Sequence, residues 1–276
     1  MAPINWTPKF AKTPPPIKDA QLSYPSSNIL LVTLNRPKAL NCINSNGHAE
    51  LHDVWQWMDE EPGLSVGIIT GNGRAFCAGA DLKEWDTQHK SSSPRPMPAS
   101  GFGALSRRTG LKPVIAAVNG ICFGGGCEII INCDMVLASP TATFALPEVK
   151  RGVVAIAGAL PRLVRTIGRP RAMEMALTGR VVPAKEAAEW GLINKVVDDV
   201  VGGAVELAKL IAENSPDAVI VSREGVKIGW EGVGAEEGTR LWQELWYPRL
   251  LAGDNMREGV NAFVEKRQPK WKASKL

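Results

Sequence analysis

Hydrophobic positions fall into two rhythms along the chain. In the first half, short apolar runs alternate with glycine-rich breaks: NILLVTLN (28–35), VGIIT (66–70), PVIAAVNG (113–120), MVLAS (135–139) and TATFAL (141–146). Runs of this length, rich in β-branched residues, predict buried strands. The last two are expected to pair around a Ser139-Pro140 turn. Between the first two runs, Leu51, Val54, Trp55 and Met58 recur at helical spacing. That helix is expected to start near Asn44 or Ser45, both good N-caps, and to end at Glu61-Pro62-Gly63. CEIIINCD (127–134) predicts a helix opening at a glycine triplet. Beyond residue 160 the rhythm turns helical: LPRLVRTIG, PRAMEMALTG, PAKEAAEWG, GAVELAKLIAEN, DAVIVSREGVKIG, then 236–251 and 254–266.

This order predicts an α/β core with a helical C-terminal part. Residues 1–25, with six prolines, read as an extended arm, 26–200 as the core and 201–276 as the helical region. No sequence repeat is visible, although a strand–strand–helix order is compatible with a structural one. GNGRAFCAGADL (71–82) reads as a glycine-rich loop, and the Ser/Pro/Gly-rich stretch 87–103 as a mobile loop or lid.

The composition of the 276 residues is that of an ordinary soluble globular protein, 45% hydrophobic and 22% charged. A formal charge of +4 suits an anionic small ligand but is too small to argue for nucleic acid. No apolar run reaches membrane-spanning length, and the N-terminus lacks the apolar core of a secretory signal. Cys42, Cys77, Cys122, Cys127 and Cys133 are odd in number and contain no C-x-x-C, so they read as small buried hydrophobes. The C-terminal Ser274, Lys275 and Leu276 spell a peroxisomal address read by an import receptor, and Lys270, Lys272 and Ala273 before it suit an exposed tail. The expected location is the peroxisome.

Nucleotide-binding motifs do not fit the glycine stretches: GNGRAF lacks the third glycine of the dinucleotide fingerprint, and FGGGCE lacks the Lys-Ser/Thr of a P-loop. The triplet Gly124, Gly125 and Gly126 lies between a strand and a helix. Without Cβ atoms a ligand can approach that backbone, and an N–H there can stabilise an oxygen that becomes negative during reaction. A tight turn with close helix packing explains the same glycines. Glu128 sits among isoleucines, and Glu148 follows the TATFAL strand 20 positions later. Two carboxylates in one apolar pocket split into an acid and a base. Spacing alone also permits two unrelated glutamates. His48 and His52 do not form the H-E-x-x-H zinc motif and read as ordinary helix surface or edge, and His89 carries little information. Glu174 and Glu206 read as solvated, and no G-x-S-x-G elbow is present.

At LNRPKALNCIN (34–44), ITGNGRAFCAGADLKEW (69–85), KPVIAAVNGICFGGGCEIIINCD (112–134), FALPEVKRGV (144–153), LPRLVRTIGRPRAMEMALTGRVVPAKEAAEWGLINKVV (160–197) and REGVNAFVEKR (257–267), the sequence resembles the crotonase superfamily, specifically its enoyl-CoA hydratases. The match runs in order over about 240 residues and omits only the N-terminal arm and the Ser/Pro loop. The resemblance implies a spiral of ββα units with a C-terminal helical region, assembled as trimers or paired trimers. It implies an acyl-CoA thioester substrate, no separate cofactor and no metal.

The resemblance also implies roles for residues. The backbone amides of Ala80 and Gly125 would form the oxyanion hole. Glu128 would help activate the water that attacks Cβ, and Glu148 would hold that water and deliver a proton to Cα. Gly158 would lie close to that region, Lys38, Ala78 and Asp81 near the CoA nucleotide, and Phe263 and Lys266 at a neighbouring subunit's CoA. AIAGALPRL stands where the family usually has P-G-A-G-G-T-Q-R-L, so Ala155, Ala159 and Pro161 alter the wall above the glutamates. Trp85 and the 87–103 loop occupy the region of the acyl tail. These departures point away from a straight-chain fatty enoyl group and toward a short, branched or oxygenated one such as mevalonyl-CoA. A Δ3,Δ2-enoyl-CoA isomerase, which needs only the Glu148 carboxylate, is the nearest rival. A non-catalytic CoA- or RNA-binding scaffold is the rival of another class.

Overall fold

The computed structural model describes residues 10–82, 84 and 97–276. Ala20–Ser26 (β1) and Ile29–Leu34 (β2) form an antiparallel hairpin. The long apolar runs then add parallel strands beside β2: Val66–Gly71 (β3), Val114–Val118 (β5), Met135–Ala138 (β7) and Lys195–Val196 (β10). Between them lie short strands of a second sheet: Ala75–Cys77 (β4), Ile121–Phe123 (β6), Thr143–Ala145 (β8) and Val182–Pro183 (β9). Among the described residues the large sheet runs β1-β2-β3-β5-β7-β10 and the small one β4-β6-β8-β9. Each turn of the chain lays one strand in the large sheet and the next in the small one, so the strand–strand–helix unit recurs in space.

That spiral corrects one expectation. MVLAS and TATFAL are not a hairpin: β7 lies parallel to β5, and β8 parallel to β6. The Ser139-Pro140 turn hands the chain between sheets, tied by Ser139 N–H to Val118 O and by its hydroxyl to Asn119 O. Parallel placement buries both faces of each strand, which an exposed hairpin would not. β4 lay hidden in a stretch read as a loop, and β6 in residues 121–123 between the predicted strand and the glycine triplet, because three residues are too few to show a period.

Alternation along the large sheet divides its side chains between two cores. Leu30, Val32, Ile69, Ala116 and Val118 face the inner core with Phe76, Cys77, Cys122 and Phe144. Ile29, Leu31, Val66, Ile68, Ile115 and Ala117 face outward. Helix α1 (Ser45–Glu60) covers the inner side with Leu51, Val54, Trp55 and Met58, and Asn44 caps it by accepting from Gly47 N–H at 2.7 Å. After α2 (Gly125–Ile131), α3 (Ala159–Ile167), α4 (Arg169–Thr178) and α5 (Ala184–Trp190), helix α6 (Val200–Ala212) seals the outer face with Val200, Ala204 and Ala208.

The C-terminal part holds α7 (Pro216–Trp230), α8 (Ala235–Leu245), α9 (Tyr247–Ala252) and α10 (Asp254–Val264). The single helix expected over 236–251 is broken at Trp246, because Pro248 cannot continue it. Both chain ends are pinned where described. Phe10 stacks on Tyr24 and edge-on to Trp57, whose indole N–H donates to Lys12 O. Lys270, Lys272 and Ala273 are exposed, as expected of a tail, but the backbone there is docked. Asn255 grips the Lys272 backbone at both N–H (2.8 Å) and C=O (3.0 Å), and Trp271 donates to Glu213 O. All five cysteines are free thiols. Among the described residues no helix is long and apolar enough to cross a membrane.

Candidate active site

Three neighbouring strands of the small sheet, β4, β6 and β8, run parallel, with Cys77 beside Cys122 and Phe123 beside Ala145. Their C-terminal ends therefore release three loops side by side: residues 78–81, the glycine triplet, and 146–148. The open ends of parallel strands are where such sheets place ligands.

The 78–81 loop is held by a single parallel bridge between Ile43 and Ala80. Ile43 N–H donates to Gly79 O, and Asp81 N–H to Ile43 O. This pattern turns the Ala80 N–H away from Ile43. Residue 40–43 backbone is itself fixed by Asn41, a buried side chain that accepts from Arg36 N–H and donates to Asn72 O and Ala75 O. Ala78 N–H donates to Leu40 O in the same seam. Gly125 begins α2, so its N–H has no partner within the helix. Among the described residues neither Ala80 N–H nor Gly125 N–H makes a hydrogen bond.

Each glycine of the triplet has a separate reason. Gly124 takes φ +54°, and a Cβ there would meet Glu148 Oε1 at 3.1 Å. One on Gly125 would run into the Phe102 ring at 2.5 Å, and one on Gly126 into Cys77 O at 2.2 Å. The backbone thus passes between a carboxylate, an aromatic ring and the end of β4 with no room for a side chain.

Glu128, 4% exposed, lies in the first turn of α2. Its Oε1 accepts from Ala157 N–H at 2.8 Å and Ala159 N–H at 3.4 Å. Burial pushes its pKa up to about 7, and the nearby Glu148 charge adds to the rise, while the two amides oppose it. Glu148 sits in a 3-10 turn over Pro147–Arg151, and burial raises its pKa too, against Arg151. Among the described residues its buried Oε2 has no hydrogen-bond partner. The fold thus brings the two glutamates together over one patch of backbone, which spacing left open. Protonation of one favours ionisation of the other.

Segment 155–159 does more than alter a wall. It folds over Glu128, with Gly158 at φ +109° between the two donating amides. Residues 97–103 also depart from the expected mobile loop. Phe102 and Gly103 are buried in a 3-10 turn against Gly125 and Ile129. Trp85, His89 and the rest of 85–96 lie outside the described residues. His48 is not plain helix surface: its Nδ1 accepts from Gly103 N–H at 3.0 Å, its ring meets Phe102 edge-on, and burial lowers its pKa to about 4. Its signal was lost because its partners come from a Ser/Pro-rich stretch with no period.

The residues expected at CoA divide into two places. Lys38 is exposed in a 3-10 turn (Pro37–Ala39) one seam away from Ala78, and the Asp81 carboxylate pairs with Arg36 at 2.9 Å. Phe263 and Lys266 lie at the end of α10, which packs on α7, and Phe263 is 85% exposed.

The family model for enoyl-CoA hydratase/isomerase matches residues 25–274. The chain is 51% identical over 264 residues to the mevalonyl-coenzyme A hydratase sidH of Aspergillus fumigatus, covering 95% of this chain and 98% of that protein. It is 50% identical over 280 residues to the mevalonyl-coenzyme A hydratase SIDH of Beauveria bassiana, covering 97% and 99%. The crystal structure of enoyl-CoA hydratase EchA1 from Mycobacterium marinum superposes with a TM-score of 0.84 at 34% identity, over 92% of this chain and 98% of that one. With the ββα spiral in place and a family match that spans nearly the whole sequence, the chain belongs to the enoyl-CoA hydratase/isomerase family of the crotonase superfamily.

Proposed function

We propose that the protein is a hydro-lyase that adds water reversibly to a 2-enoyl-CoA, or removes it from the 3-hydroxyacyl-CoA. The observation that carries this is the pair of glutamates, Glu128 buried and Glu148 half-buried, beside two backbone amides that are unpaired among the described residues. The thioester oxygen accepts from Ala80 and Gly125 N–H, and each donor contributes roughly 3 kcal/mol as that oxygen gains charge. Water bound between the carboxylates adds its oxygen to Cβ. Glu148 takes up the proton that this water releases and passes it to Cα, while Glu128, hydrogen-bonded to the same water, assists the release without keeping the proton. Both atoms of water's O–H bond end on the substrate, and the carboxylates return to their starting state.

The acyl group is short and branched, with mevalonyl-CoA the leading candidate. Support comes from the two relatives of that activity at half identity and from AIAGALPRL around Glu128. Glu128→Gln and Glu148→Gln should each cut hydration by orders of magnitude, followed by the enoyl chromophore across a panel of acyl-CoAs. Full hydratase activity in either variant would sink the two-glutamate mechanism. Isomerisation of a 3-enoyl-CoA in the Glu128→Gln protein would favour the one-carboxylate rival.

We further propose that the protein works as a homo-oligomer in the peroxisome. Val260, Phe263 and Val264 expose an apolar face on α10, and Leu245 and Leu251 do so on α8 and α9. The terminal tripeptide follows the Asn255 clasp by one residue, with Ser274 and Leu276 half-buried. A tagged protein lacking residues 274–276 should be cytosolic; its persistence in peroxisomes refutes the address.

A further inference from the structure

Ser106 is fully buried and lies outside every motif that the sequence singled out. Its hydroxyl oxygen accepts from Phe102 N–H at 2.8 Å and donates to Ala157 O at 2.8 Å. Both contacts continue to the site. The N–H of Ala157 donates to Glu128 Oε1. The ring of Phe102 lies against the Cα of Gly125, so close that no Cβ fits between them. Gly101, at φ +78°, lets the chain turn over the hydroxyl: a Cβ there would fall 2.3 Å from Ser106 Oγ. One hydroxyl therefore joins the segment that orients a carboxylate to the turn that backs an amide.

We propose that Ser106 is a positioning residue for the hydration, fixing Glu128 through Ala157 and Gly125 through Phe102 so that the water and the thioester oxygen are held in register. The proposal rests on the reading of the site given above. A hydroxyl suits this place because it accepts from one segment and donates to the other, and alanine can do neither. Loss of it leaves two buried polar groups unpaired and lets the 155–159 segment move relative to the 102–106 turn. Small misplacement of reacting groups carries a large rate penalty.

The test is Ser106→Ala in the full-length protein, with kcat, KM and the pH dependence of kcat measured beside Ser106→Thr. Ser106→Ala should lower kcat roughly tenfold to a hundredfold with KM changed less than about threefold. The charged groups near Glu128 are Glu148 and, beyond Gly158, Arg107 and Arg162; all are unchanged by the substitution. A loosened Ala157 N–H stabilises the Glu128 carboxylate less, so the acidic limb of kcat should move to higher pH. Ser106→Thr, which keeps the hydroxyl, should restore both the rate and the limb. A role in stability alone predicts a lower melting temperature with kcat per folded molecule and the limb unchanged, and that result overturns the proposal. If Ser106→Ala does not fold, Ser106→Cys carries the same comparison with a weaker donor of similar shape. Hydratase activity that survives Glu128→Gln overturns the site reading and the proposal together, whereas an unmoved limb with a Glu128-dependent rate overturns the proposal alone.

Discussion

Glu128 shows how one residue couples stability to chemistry. Its carboxyl ionises at about 7 when folded, against an ordinary value of 4.5. Between those values the folded protein keeps a proton that the unfolded chain has released. The contribution is therefore fully present below about pH 4.5 and is lost as the pH rises through 7, a loss on the order of 3 kcal/mol. Glu128→Gln has no such loss. At pH 8 its melting temperature should exceed that of the parent, and the difference should shrink toward pH 5; equal melting curves at pH 8 would refute the buried-carboxylate account. The same titration places the acidic limb of the hydration rate near pH 7. Residue by residue, the glutamates and glycines were legible because their types are conspicuous in an apolar segment. Phe102, Ser106 and Asn41 were not, because each acts through backbone groups distant in sequence that no local pattern reveals.

At the scale of elements, legibility followed length. Strands β2, β3 and β5 and helix α1 span enough residues to show a period, and each falls within two residues of its predicted bounds. β4, β6 and β8 have three residues each. β4 and β6 are strands by their partners rather than their composition, whereas β8 lies inside TATFAL, which reads as a strand from the sequence. These short strands are also the ones whose ends carry the loop at Ala80, the triplet and Glu148. Two of the least legible elements thus position the most legible residues. The error over 135–146 has the same root. Two apolar runs joined by Ser139-Pro140 have the local signature of a hairpin, and only the parallel register with β5 and β6 separates them.

For the whole molecule, the exposed face of α10 is the feature that a single chain leaves unexplained. Phe263 presents its ring to solvent beside Val260 and Val264, a cluster that soluble monomers seldom keep. If the protein is the homo-oligomer proposed above, Phe263→Asp should lower its mass by light scattering, and it should raise KM for acyl-CoA if a neighbouring subunit completes the site. An unchanged mass with an unchanged KM would remove α10 from both roles.

The order of strands in the large sheet has a consequence for how the molecule is made. From β1 to β10 the order across the sheet is also the order along the chain. Each newly synthesised strand can therefore dock on the edge left by the one before, with no earlier pair reopened. Until Lys195 and Val196 arrive, a parallel edge stands open beside β7. That final strand has two residues, too short to template a foreign chain, so the sheet closes growth with its least adhesive edge. The outer core waits longer still, for α6 at residue 212, which makes sealing of the outer face a late event in synthesis.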